Sequence, residues 1–184
     1  MPFSFRALEI PDLIVIEPQR FPDERGWFME RFKASDFADA GIREQFVQDN
    51  VSFSSHGVLR GLHYQVAPAA QSKIVTTLSG EIFDVAVDLR PDSATYGRWL
   101  GLALSAERGE TLYIPAGFAH GFVVTSREAL VLYKCSAEYN RRCERGVLWN
   151  DPALAIRWPI ADPVVSERDR GLPPLADRGE EPLL

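Results

Sequence analysis

The stretch "GVLRGLHYQ" sets Arg60 and His63 three residues apart in a chain that has only three histidines. An imidazole titrates near neutral pH, so His63 is a candidate general base. Taken singly, a histidine on an apolar strand is more often a paired core residue than a catalyst. Asp169, in "SERDRG", is by default a solvated loop charge. If the two met, the carboxylate would fix the imidazole tautomer and raise the basicity of its free nitrogen. Lys73 opens the apolar run "KIVTTL". Arg60 and Lys73 are either rim residues or two cations aimed into one pocket. In the second case they would stabilise an enolate or hold a phosphate. Tyr133, in "LVLYKC", reads as a core tyrosine, and Tyr139, in "SAEYNRR", as a stacking platform or plain surface.

His120 lies between small residues in "PAGFAHGF", and His56 lies in a serine-rich turn. Neither His63 nor His120 has a second histidine within a few residues, so the His-x-His pattern of metal-binding cupins is missing. Metal is therefore disfavoured. Asp23, Glu24, Arg25 and Glu30 in "FPDERGWFMERF" read as a charged turn before a strand. The residues alone point to acid–base chemistry on an anionic small molecule and do not name it.

The elements that must position these groups are short. Runs such as "LIVIEP", "VLRGLHYQV", "KIVTTLSG", "EIFDVAVDL", "HGFVVT" and "ALVLYKCSA" are rich in β-branched and aromatic residues. Turn chemistry separates them, as in "SSHG", "RPDSATYG" and "SAERGE". Only "KASDFADAGI" predicts a helix, with Ser35 as N-cap and Gly41 near its end. The expected fold is all-β: a jelly-roll barrel of cupin type with a few short helices, in one domain spanning 1–184. The proline-rich final stretch should wrap the barrel, with a mobile tail from about residue 175. On an ideal strand, positions i and i+3 face opposite ways. Arg60 and His63 can thus reach one pocket only if the strand twists or bulges at Gly61.

The 184 residues carry a net charge of -6 and no basic run, which argues against nucleic acid as a partner. No segment has the apolar length of a membrane span, and the first residues lack signal-peptide features. The two cysteines, Cys135 and Cys143, make neither a disulfide framework nor a zinc pattern. A cytoplasmic protein is expected.

Several blocks resemble the dTDP-4-dehydrorhamnose 3,5-epimerases: "GVLRGLHYQ", "KIVTTLSGEIFDVAVDLR", "SATYGRW", "IPAGFAHGF", "LYKCSAEYN" and "WNDPALAIRWP". The resemblance runs from about Pro11 to Pro174 in family order. It implies a cupin-type jelly roll, a homodimer, and no cofactor or metal. The substrate it implies is a dTDP-4-keto-6-deoxy sugar, whose ketone acidifies the hydrogens at C3 and C5. It gives His63 the role of base and Asp169 that of its orienting carboxylate. Tyr133 would be the acid on the opposite face, and Lys73 would stabilise the enolate at the C4 oxygen. Arg25 and Glu30, in a "D-x-R-G-x-F"-like region, and Gln48 and Asn50, in "QDN", would bind substrate. Arg60 and Arg168 would meet the diphosphate, and His120 the sugar. Tyr139 would stack on thymine, and Glu144 would help hold the nucleotide.

This chain departs from the family's pattern at three places. Glu138–Tyr139 stands for a Tyr–Tyr pair, Arg141 for a frequent proline, and Arg168 for a common lysine. The rivals are a related epimerase acting at C3 or C5 only, a non-catalytic nucleotide-sugar-binding cupin, and a metal-dependent cupin oxygenase.

Overall fold

The structure, a computed structural model, describes residues 2–179 and 181–184. Its strands are β1 (Phe3–Ala7), β2 (Ile14–Pro18), β3 (Arg20–Asp23), β4 (Gly26–Met29), β5 (Gln48–Ser55), β6 (Val58–Gln65) and β7 (Lys73–Ser79). After them come β8 (Glu81–Asp88), β9 (Trp99–Ser105), β10 (Thr111–Ile114), β11 (Phe118–Val124), β12 (Glu128–Cys135), β13 (Glu144–Gly146) and β14 (Val164–Val165). Among the described residues, two short helices, α1 (Ala34–Asp39) and α2 (Glu167–Arg170), complete the set with a 3-10 turn at Leu175–Asp177.

Two sheets face each other as a cupin-type jelly roll. One runs β1-β2-β10-β7-β12-β5, and the other β13-β6-β11-β8-β9, with β14 parallel on β6. Period-two alternation builds the first sheet's inner face. Along β12, Ala129 and Val131 are buried while Glu128 points out. Val75, Leu112 and Val131 from one sheet meet Ile82, Leu104 and Phe122 from the other. Full burial of each such large apolar side chain is worth about 1.5–3 kcal/mol. β11 lies between β6 and β8, and every residue along it is buried. Among the described residues no helix is long and apolar enough to cross a membrane.

The irregularity expected at Gly61 is present. His120 pairs His63 and Phe122 pairs Arg60, so β6 spends one more residue than β11 across this interval. Gly61 has φ of +130°, and a Cβ there would lie 2.5 Å from the Gly121 Cα. The bulge thus needs glycine, and it brings Arg60 and His63 to one side of the strand.

Two local expectations change. Helix α1 starts at Ala34, so its N-cap is Lys33, which makes no side-chain cap, and not Ser35. Ser35 lies inside the first turn, where its hydroxyl bonds Asp36, and the Lys33–Asp36 ion pair at 2.9 Å closes that turn instead. Gly41, with φ of +95°, ends the helix as expected. The stretch "SERDRG" is not a solvated loop. It forms α2, where Ser166 caps the Asp169 N–H at 3.1 Å, and Asp169 is buried. At the tail, Leu183 packs into the core and the Ala67 N–H bonds the Pro182 carbonyl, so the described residues there are tied to the barrel.

Candidate active site

A cavity of about 710 Å³ opens between the sheets. Strand β6 contributes Arg60 and His63, β11 His120, β7 Lys73, and β12 Tyr133. Edge strand β5 adds Gln48 and Asn50. Tyr139, Glu144, Arg168 and Asp169 close the side next to β13 and α2.

His63 Nε2 is 2.8 Å from Asp169 Oδ1, and Asp169 Oδ2 accepts the Gly61 N–H at 3.2 Å. The bulge therefore serves both partners: it turns His63 and offers a backbone donor to its carboxylate. Burial pushes the Asp169 carboxyl up, but the His63 bond and charge, with the Gly61 N–H, outweigh it and hold the group below its usual range. Asp169 thus stays ionised at neutral pH and orients the ring. With Nε2 engaged, Nδ1 is the nitrogen left to take a proton.

Lys73 is 8% exposed, and its Nζ donates to the His63 carbonyl at 3.2 Å. Among the described residues no carboxylate lies within ion-pair distance of it. Burial lowers its pKa, partly countered by Cys135, Asp84 and Glu144. A cation with so little compensation is suited to meet negative charge that develops on a ligand.

Tyr133 enters from the opposite sheet, in register with Asn50 on one side and Val75 on the other. Burial raises its pKa, so the phenol stays protonated at neutral pH. A core tyrosine would pair its hydroxyl, yet among the described residues this one has no hydrogen-bond partner and borders the cavity. His63 and Tyr133 therefore face one space from two walls.

His120 sits opposite His63 in the β11–β6 ladder, and its Nε2 is 2.8 Å from Asp84 Oδ2. Asp84 is fully buried, and the inward alternation Ile82, Asp84, Ala86 in "EIFDVAVD" carried the signal that sequence reasoning missed. Gln65 was missed too. It bonds the Ala69 and Glu138 carbonyls and the Asn140 N–H, and so shapes the loop that presents Tyr139. Gln48 takes the Tyr139 N–H at 2.8 Å and donates to Asn50. Arg60 is held by Ser54 Oγ at 3.0 Å.

Arg25 and Glu30 do not join this cavity. Arg25 is at the tip of the β3–β4 hairpin, with a side chain 84% exposed and paired to Asp23 at 2.6 Å. Glu30 follows β4 on the same hairpin. Among the described residues no three His, Cys, Asp or Glu side chains converge as metal ligands would.

Fold and cavity together define a cupin-type barrel arranged for proton transfer on a polar small molecule. The family model described as dTDP-4-dehydrorhamnose 3,5-epimerase matches residues 7–177. The chain belongs to that family. It is 53% identical over 165 residues to the dTDP-4-dehydrorhamnose 3,5-epimerase of Pseudomonas aeruginosa, covering 89% of this chain and 91% of the relative. It is 52% identical over 162 residues to the enzyme of that name from Shigella flexneri, covering 88% and 90%. Among solved structures it resembles a dTDP-6-deoxy-D-glucose-3,5-epimerase from Legionella pneumophila in complex with dTDP-4-keto-L-rhamnose. There the TM-score is 0.94 and the identity 43%, over 99% of this chain and 98% of the other.

Proposed function

We propose that this chain converts dTDP-4-dehydro-6-deoxy-D-glucose to dTDP-4-dehydro-L-rhamnose by inverting C3 and C5. The activity is that of an isomerase, in line with relatives of the same name over most of the chain. The observation that carries the mechanism is the placing of His63 and Tyr133 on opposing sheets around one cavity. An epimerase must remove a proton from one face of a carbon and return one to the other.

In the proposed course, the C4 ketone acidifies the neighbouring C–H bonds. His63, oriented by Asp169, takes the proton, and the electron pair moves onto the C4 oxygen as an enolate. Lys73 stabilises that oxyanion, a task worth several kcal/mol in a site shielded from water. Tyr133 delivers a proton from the opposite wall. Arg60 and Arg168 hold the diphosphate, His120 the sugar, and Tyr139 the thymine face. Gln48, Asn50 and Glu144 fix the nucleotide end. Incubation with the substrate in deuterated water tests this. Deuterium at both C3 and C5 of a doubly inverted product is expected. Label and inversion at one carbon would make it a single-site epimerase, and binding without label a non-catalytic cupin.

The working unit would be a homodimer. The β3–β4 hairpin exposes Phe21, Trp27 and Phe28, and edge strand β5 exposes Val51 and Phe53. A second copy on the β5 edge would cover both apolar sets. It would also give Arg25 and Glu30 a cavity to serve in the partner. Sedimentation should report twice the chain mass, and a monomer that is fully active would contradict the assignment. The two buried, unpaired thiols, Cys135 and Cys143, support a reducing cytoplasm.

A further inference from the structure

Glu144 stands where one of the pocket's exposed cations, Arg168, and its aromatic platform, Tyr139, meet. Its Oε1 is 2.5 Å from Arg168 Nη2, and its Oε2 accepts the Tyr139 hydroxyl at 2.7 Å. The Arg168 side chain is 57% exposed and Tyr139 53%, whereas the Glu144 side chain is only 16% exposed. β13 fixes the carboxylate's base, since Glu144 pairs Gln65 of β6. A well-anchored carboxylate thus holds two exposed side chains. The guanidinium and the phenol converge on it as they would on an anionic ligand's oxygens. Burial pushes the Glu144 carboxyl up, but Arg168 and Tyr139 outweigh it and keep the group ionised. Arg168 also adjoins Asp169 in α2, so its position bears on the catalytic dyad's side of the pocket.

We propose that Glu144 is an internal counter-anion, which Arg168 exchanges for a phosphate oxygen when the substrate's diphosphate binds. The idea rests on the reading of Arg168 as a phosphate contact given above. Holding both anions on one guanidinium would set carboxylate against phosphate with a single positive charge between them. Exchange avoids that cost. It also makes the site selective. A weak monoanion gains no more from Arg168 than Glu144 already supplies. A diphosphate carries more charge, is held by Arg60 as well, and wins the exchange.

The test is calorimetric titration with inorganic pyrophosphate and with dTDP. It uses the parent, Glu144→Gln, Arg168→Met and the double variant. Glutamine keeps an oxygen for the Tyr139 hydroxyl and removes the charge. Glu144→Gln should bind pyrophosphate about three- to fivefold tighter, the worth of a half-exposed ion pair. With Arg168 replaced by methionine, that gain should fall below about 1.5-fold. Glu144→Ala also frees Arg168 and should show the same dependence, so the outcome does not hang on one variant's folding. A gain of equal size with and without Arg168 is plain charge repulsion and overturns the exchange. Unchanged or weaker binding by both Glu144 variants overturns it too. A parent that binds neither dTDP nor pyrophosphate would overturn the functional reading and the exchange together. A parent that binds dTDP without the Glu144→Gln gain overturns the exchange alone.

Discussion

Two histidine–carboxylate pairs lie side by side in this barrel, and their settings differ more than their geometry. His63–Asp169 and His120–Asp84 both close at 2.8 Å through Nε2. The His63 side chain is 30% exposed, and its carboxylate comes from a separate helix with a backbone donor on its second oxygen. The His120 side chain is 8% exposed, and its carboxylate comes from the adjacent strand, fully buried, with Oδ1 unpartnered among the described residues. The same pair of groups can serve as a base or as a fixed contact. What separates the roles is access: a base must release its proton and take another, while a contact need only stay where it is.

The comparison breaks most sharply at His63. His63→Ala should lower deuterium exchange at both carbons by about 10²–10⁴-fold, the usual contribution of a positioned base. Asp169→Asn should cost less, because the base remains and only its orientation and basicity suffer. Normal exchange in His63→Ala would move the base elsewhere. At the second pair, His120→Asn should act mainly on substrate binding: KM should rise several-fold while the ratio of exchange to inversion stays at the parent value. A His120 variant that lost exchange as completely as His63→Ala would erase the distinction.

The smallest expected effect is on acid stability. Asp169 is held below its usual pKa, and Asp88 falls to about 2. Burial opposes the Asp88 shift, but bonds from Arg90, Ser93 and Thr95 overcome it. Both folded values lie below the unfolded ones. Their contributions are thus present above the ordinary carboxylate pKa of 3.8 and lost as pH falls through the folded values. For Asp88 the contribution is about 2 kcal/mol. Melting temperature should therefore fall between pH 4 and 2 (about the span of the Asp88 shift). Asp88→Asn should remove more of that fall than Asp169→Asn. An unchanged slope in both variants would place the acid-sensitive groups elsewhere.

Strand content and inward polar groups were legible because alternation and turn residues encode them locally, as in "EALVLYKC" between its turns. The bulge was legible as a condition: at i, i+3 spacing, Arg60 and His63 could share a pocket only if the strand bulged or twisted at Gly61, and it bulges there. The meeting of His63 and Asp169 was not, since it joins positions 106 residues apart and needs the barrel to close. Even so, Ser166-x-x-Asp169 has the spacing of a helix start, and that cap is what presents Asp169. Asp84 was readable from alternation and was overlooked. The Ser35 cap failed because a preferred residue type lay two positions too late, inside the first turn. Arg25 and Glu30 came from family resemblance alone, and no pattern within the chain says which cavity they serve.

The two-walled arrangement is tested most directly by Tyr133→Phe, followed by deuterium uptake and stereochemistry together. Removing the phenol leaves His63, Lys73 and the binding groups in place, so the enolate still forms. Protons should then return mainly from the His63 wall. The folded variant, checked by its melting temperature, should keep substrate affinity and appreciable exchange while losing net inversion, most severely at C5. If it inverts C3 and C5 at the parent rate, Tyr133 is only a wall residue and the second proton donor lies elsewhere.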